Sequence, residues 1–218
     1  MDEDEFQALI TNAPNYGVKI SHPQLTLFRT YLNELWDWSL HMNLTGLSSR
    51  REIVVELFLD SLIPTPFIPS KGKILDVGSG AGFPAIPLKI HMPTLKITLI
   101  EANSKKVSFL RHVIRLLDLN DIEVINGRIE QDGGPLKHEE FALITARALA
   151  GLAQTLSWCA PFLCQGGLLV SFLGSRAEKD LKESRQVMKR EGIVLHDMIP
   201  YVLPTKKTKR NTVIFRKA

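Results

Sequence analysis

Residues Asp76-Val77-Gly78-Ser79-Gly80-Ala81-Gly82-Phe83-Pro84 have the types and spacing to hold a ligand. Alternating glycines let a small molecule approach the backbone, because no Cβ stands in the way. The stretch follows Lys73-Ile74-Leu75, an apolar run that reads as a buried strand, and precedes Ala85 to Ile90, which reads as a helix start. Further on, Leu95 to Glu101 reads as a second strand ending in an acid. A carboxylate in that place accepts hydrogen bonds from ribose hydroxyls. Together the glycine turn and the acid mark a site for a nucleoside-bearing ligand.

The spacing narrows the ligand. A dinucleotide fingerprint is G-x-G-x-x-G, with backbone amides around a pyrophosphate. Here Gly78, Gly80 and Gly82 fall one residue short at the third glycine. Asp76, just before the turn, serves a pyrophosphate poorly. It suits S-adenosylmethionine, which has no phosphate and carries a sulfonium and an ammonium group. The loop therefore reads as that of a class I methyltransferase, against two alternatives: a nicotinamide-dependent oxidoreductase, or a tight turn in an α/β domain.

The elements that must position these residues alternate from residue 72 onward. Strand patterns cover 73–77, 96–101, 122–126, 141–146 and 167–173, with helical patterns between them at 104–117 and 149–163. Such alternation implies a parallel sheet with helices on both faces, and a ligand outside the carboxyl ends of its strands. After a helix at 176–191, strands near 194–203 and 211–216 flank a polar, basic loop and predict an antiparallel hairpin. Residues 1–70 carry helical patterns. Ser21-His22-Pro23-Gln24 and Ser49-Arg50-Arg51-Glu52 read as capping boxes. Ser104 is placed to cap the 104–117 helix. The expected organisation is a helical extension, 1–70, and a Rossmann-like domain, 71–218.

Composition bounds the function. The 218 residues suffice for one domain with a sizeable core, with or without an extension. No apolar run approaches the roughly 20 residues that span a bilayer, and the acidic Met1-Asp2-Glu3-Asp4-Glu5 is the wrong charge for a signal peptide. Cys159 and Cys164 fit no zinc spacing and read as core or helix-face residues of a cytoplasmic protein. No metal and no membrane are expected, and a monomer is. The net charge is +4, unevenly spread: after Asp197 there is no acid, while Lys206, Lys207, Lys209, Arg210, Arg216 and Lys217 follow. Unopposed charge of that kind suits phosphates, and equally a solvated turn. The six histidines are scattered and form no acid–base constellation.

Beyond the glycine loop, the chain resembles the ribosomal RNA small subunit methyltransferase G family, also called glucose-inhibited division protein B. The segments that carry the resemblance are Met42-Asn43-Leu44-Thr45, Asp60-Ser61-Leu62, Asp76 to Pro87, Gly127-Arg128-Ile129-Glu130 and Thr145-Ala146-Arg147-Ala148. It implies methylation of guanine N7 in 16S rRNA of the small ribosomal subunit, with S-adenosylmethionine as cofactor. It also implies that Gly78, Gly80 and Phe83 meet the cofactor, that Glu101 takes the ribose, and that Ile129 and Glu130 contact the adenine side. Arg147 falls at the mouth of the site, as both a cofactor contact and a substrate-side candidate. Asn43 and Thr45 become substrate-side candidates, although the residues alone suggest a turn bonded to its own backbone. Trp36 lies on an apolar stripe; Trp38 is open to stacking on a base. Guanine N7 carries a free lone pair, so no residue is named as an acid–base catalyst, and the rate is expected to come from positioning and local electrostatics. The chain departs from the family pattern at Ser39, Leu57, Ala85 and Leu173. A non-catalytic rRNA-binding assembly factor with the same fold is the competing reading.

Overall fold

The computed structural model describes residues 3–129, 136, 140–205 and 208–218. Its centre is a seven-stranded sheet in the order β3-β2-β1-β4-β5-β7-β6. The strands are β1 (Gly72–Val77), β2 (Leu95–Glu101), β3 (Ile122–Asn126), β4 (Phe141–Arg147), β5 (Leu163–Leu173), β6 (Ile193–Val202) and β7 (Lys209–Lys217). The first five run parallel, and β7 is antiparallel to both β5 and β6. Strand order reverses between β1 and β4, which puts the binding crevice at their carboxyl ends. Leu75, Val77, Leu99, Ile100, Leu143 and Ile144 are buried because helices cover both faces, and their strands therefore read as continuous apolar runs.

The helices on the sheet include α5 (Ala85–His91), α6 (Ser104–Leu116), α7 (Leu152–Cys159) and α8 (Ala177–Glu191). Asn103, and not Ser104, caps α6: its side chain accepts from the Lys105 and Lys106 amides at 3.0 and 3.3 Å. Asn103 keeps an extended backbone, as an N-cap must, while Ser104 is already helical. The helix expected over 149–163 is shorter. Gly151 holds an extended conformation before α7, and a 3-10 turn, Ala160–Phe162, ends it at Pro161. Strand β5 then begins four residues earlier than its pattern suggests, because a register shift against β4 absorbs the Cys164–Gly167 stretch. A Cβ on Gly167 would lie 2.8 Å from the Cys164 carbonyl, so the shift needs a glycine. Cys164 thus sits on a strand, whereas Cys159 is buried on α7.

The amino-terminal segment contributes α1 (Glu3–Asn12), α2 (His22–Ser39), and a continuous helix made of α3 (Arg50–Ile53), a π-helical stretch (Val54–Leu59) and α4 (Asp60–Leu62). Ser21 and Gln24 form the full capping box of α2. At Ser49 only half the box forms, with the Glu52 amide donating to the hydroxyl at 3.1 Å. Phe28, Tyr31, Leu32 and Leu35 recur at helical spacing and are fully buried. They share one core with Phe58 and with Phe83, Ile86 and Phe109, from the loop and helices that flank the sheet. The Gln24 amide also donates to the Ile90 and His91 carbonyls, joining the start of α2 to the end of α5. Trp38 packs against Phe109 and His112 at ring distances of 5.4 and 5.3 Å, which turns its ring toward α6. No described helix is long and apolar enough to cross a membrane.

Candidate functional site

The glycine loop leaves β1 and turns across the end of β2. The Gly78 and Ser79 amides donate to the Ile100 carbonyl at 2.9 and 3.2 Å, tying the loop to the neighbouring strand. Gly80 adopts φ +59°, and a Cβ there would meet nothing closer than 3.8 Å. Its position is open, so the glycine is required by the backbone conformation and leaves room for a ligand. The Gly80 amide donates to Glu101 Oε2 at 2.8 Å, and the Asn103 amide donates to Glu101 Oε1 at 2.8 Å. Each carboxylate oxygen keeps a free lone pair. A buried acid, 8% exposed, is thereby fixed with acceptor capacity to spare.

Glu101 borders a cavity of about 270 Å³ at the carboxyl ends of β1 to β4. Gly78 lines it, and Ile100, Ile129, Leu149 and Trp158 supply apolar walls. Asp76 lies behind the loop, fully buried, with Oδ1 accepting from the Thr145 hydroxyl at 2.6 Å. Burial raises its pKa to about 6, against the opposing pull of hydrogen bonds from Thr145 and Ser79. Asp76 Oδ2 has no hydrogen-bond partner. Apolar walls suit a purine, a carboxylate with open lone pairs suits ribose hydroxyls, and a buried acceptor short of partners suits a cationic group. These residues fit S-adenosylmethionine better than a pyrophosphate.

A second cavity, about 210 Å³, adjoins the first through Ala148. Ala148 has φ +48°, an uncommon conformation for a residue with a side chain. Arg147, Phe172, Leu173 and Tyr201 line this second space. The Arg147 guanidinium stands 3.0 Å from Asp60 Oδ2, donates to the Glu56 carbonyl at 2.6 Å, and lies 5.7 Å from the Phe172 ring centroid. Asp60 and Glu56 are buried carboxylates that also bind Arg210. Arg210 loses solvation there, but Asp60 and Glu56 outweigh that and raise its pKa. One of the six cations of the carboxyl-terminal stretch is therefore already neutralised, by acids distant in sequence. Lys217 donates to the Glu191 carbonyl, and Lys206 and Lys207 lie outside the described residues.

The sequence-derived candidates distribute unevenly. Gly78, Glu101 and Ile129 line the first cavity, Gly80 orients the acid, and Arg147 lines the second cavity. Phe83 turns its ring into the helical core, 7% exposed and stacked on Tyr31. Asn43 is exposed, and the Thr45 hydroxyl accepts from the Leu47 amide at 3.4 Å; neither lines either cavity. Glu130 lies outside the described residues. Leu149, Trp158 and Phe172 escaped the sequence reading, since apolar residues carry no chemical signature of their own. Leu173 lines the second cavity; Leu57 packs against the helical core, and Ala85 is buried at the start of α5. A larger hollow of about 670 Å³ lies near the amino ends of the strands, around Lys73, Lys96 and Glu123, and contains none of these candidates. Among the described residues, no group of histidine, cysteine and acidic side chains is arranged to hold a metal ion.

Comparison with known proteins decides the family. The model of the rRNA small subunit methyltransferase G family matches residues 24–212. The chain belongs to this family. Ribosomal RNA small subunit methyltransferase G of Acetivibrio thermocellus is 36% identical over 222 residues, covering 100% of this chain and 91% of that protein. The protein of the same name from Lactobacillus acidophilus is 32% identical, with the same coverage. A SAM dependent methyltransferase from Aquifex aeolicus superposes with TM-score 0.59 over 76% of this chain and 93% of that one, at 17% identity. Aeropyrum pernix fibrillarin superposes with TM-score 0.55 over 68% of each, at 19% identity. The expected fold holds: a mostly parallel, class I methyltransferase sheet with an antiparallel carboxyl-terminal hairpin and amino-terminal helices. Family membership favours a methyltransferase over a nicotinamide enzyme or a catalytically silent assembly factor.

Proposed function

We propose that this protein methylates N7 of a guanine in 16S rRNA, using S-adenosylmethionine, and that it works as a monomer in the cytoplasm. The observation that carries the reading is the cavity beside Glu101, whose acid, apolar walls and adjoining second cavity suit a nucleoside cofactor next to a target base. Bound there, S-adenosylmethionine supplies an electrophilic methyl group on a sulfonium. Glu101 would accept hydrogen bonds from its ribose hydroxyls, and Ile100, Ile129, Leu149 and Trp158 would supply apolar contact to its adenine.

The second cavity receives the base in this reading. Phe172 offers a stacking face and Arg147 a pinned donor for a guanine oxygen. N7 needs no deprotonation, so the side chains orient the base and hold the charge that develops on it. The N7 edge faces the deep, narrow major groove in A-form RNA, and the guanine must therefore be unpaired or flipped when it reacts. The test is transfer of labelled methyl from S-adenosylmethionine to small subunits, or their 16S rRNA, from cells lacking this protein. One stoichiometric N7-methylguanosine at a single mapped position supports the reading; cofactor binding without transfer to either substrate overturns it.

A further inference from the structure

Tyr31 belongs to α2, yet its phenol reaches the glycine loop. The ring is fully buried, stacks on Phe83 at 5.3 Å between centroids with planes 19° apart, and meets Phe58 edge-on at 5.1 Å. Its hydroxyl donates to the Ala81 carbonyl. A Cβ on Gly82, which has φ +100°, would stand 2.5 Å from Ile86 Cδ1 and 2.8 Å from that hydroxyl, so Ile86 and the phenol together occupy the space a larger residue would need. Burial, and secondarily Asp76, raise the Tyr31 pKa well above its ordinary value, so the group remains a neutral donor. On the other side of Ala81, the Gly80 amide donates to Glu101. The loop residues Gly80 to Gly82 are therefore held at one end by the cofactor-side acid and at the other by a side chain from the amino-terminal segment.

We infer that Tyr31 is a positioning residue of the cofactor site: through the Ala81 carbonyl it fixes the glycine loop, and through Gly80 it fixes the Glu101 carboxylate. The inference rests on the S-adenosylmethionine reading above. Glycines lose more backbone freedom on ordering than any other residue, so a loop with Gly78, Gly80 and Gly82 at positive φ gains from every bond made to it, beyond those its Gly82 and Phe83 amides already donate to the Ser79 carbonyl at 2.7 and 3.2 Å. An external hydrogen bond inside a dry core orders it before the ligand arrives, and preorganisation of that kind appears directly in affinity. It also makes the amino-terminal helices part of the cofactor site, since Tyr31 belongs to α2.

The test is Tyr31→Phe, which keeps the ring and its stacking and removes one donor. Losing one buried hydrogen bond corresponds to about a 5- to 10-fold change in an equilibrium. Amides of residues 78–83 in the ligand-free variant should exchange hydrogen faster by about that factor, while the sheet amides keep wild-type rates. The S-adenosylmethionine Kd by calorimetry, and its KM, should rise by the same factor, with kcat and the KM for RNA within about twofold of wild type. Thr65→Val serves as the control, because it also loses a buried hydroxyl bond, to the Leu62 carbonyl, remote from the loop. It should melt earlier and bind the cofactor as the wild type does. Unchanged loop exchange and an unchanged Kd in Tyr31→Phe would overturn the inference. If the wild type itself binds no S-adenosylmethionine, the functional reading falls, and the loop exchange rates still decide whether Tyr31 orders the loop.

Discussion

Replacing Glu101 by glutamine tests the cofactor site at its most constrained point. The carboxylate accepts from the Gly80 and Asn103 amides, both at 2.8 Å, and in the proposed complex from ribose hydroxyls as well. Glutamine is nearly isosteric but has one accepting oxygen in place of two. One backbone amide then faces an NH2 group, and the remaining oxygen is shared between the other amide and the ribose. A hydrogen bond to a charged group contributes about 1.5–3 kcal/mol, and every 1.4 kcal/mol is about tenfold in Kd. Loss of one such bond predicts S-adenosylmethionine binding weaker by about 10- to 150-fold. Calorimetry with S-adenosylhomocysteine and its 2′-deoxy analogue completes a double-mutant cycle. The wild type should lose affinity on removal of the hydroxyl, and Glu101→Gln should lose almost nothing further. Equal penalties in the two proteins, or a Glu101→Gln affinity within twofold of wild type, would refute the assignment of Glu101 to the ribose.

Other sites give independent expectations. Asp76 has a pKa raised from 3.8 to about 6 by burial, so the folded state holds a proton that the unfolded state releases; stability falls as pH rises from about 4 to about 6 and is flat above. Asp76→Asn should remove that slope and stabilise the ligand-free protein near neutral pH by about 1–3 kcal/mol, read from thermal melts across this range, while binding S-adenosylmethionine less tightly. Arg210→Met leaves Glu56 and Asp60 with too few cations and should destabilise the protein by about 2–4 kcal/mol, toward the lower end because Arg210 keeps some solvent contact; an unchanged urea midpoint would contradict the network. Trp38→Ala removes contacts to Phe109 and His112 and should lower stability by about 2 kcal/mol without altering the KM for RNA. A rise in that KM would return Trp38 to the substrate side.

The sheet was legible in the sequence because its central strands β1, β2 and β4 are buried on both faces and its strands are punctuated by turn residues. The register shift between β4 and β5 was not, since it depends on how the Gly167 backbone meets the Phe141 carbonyl. The cap of α6 was misread by one residue because Asn103 and Ser104 are both good caps, and only the backbone angle chooses between them. At the site, the glycine loop and Glu101 stood out because special backbone conformations and buried acids require particular residue types. The apolar wall at Leu149 and Trp158 left no such trace. Neither did the pairing of Glu56 and Asp60 with Arg210, which joins segments about 150 residues apart. Charge counted along the sequence made that carboxyl-terminal stretch look more available to phosphate than the folded chain leaves it.

The strand order constrains how the molecule is built during synthesis. β7 lies between β5 and β6, although β6 is made first. Until residues 209–217 emerge, β5 has an open edge and β6 has no sheet to join. Val194 and Leu195, exposed on β6, are then held on an unpaired strand. An unpaired apolar edge recruits other chains. The last step of sheet assembly is thus an insertion: β7 must pair with β5 on one side and β6 on the other. A chain stalled before that point would retain the glycine loop and its acid while presenting two edges prone to aggregation.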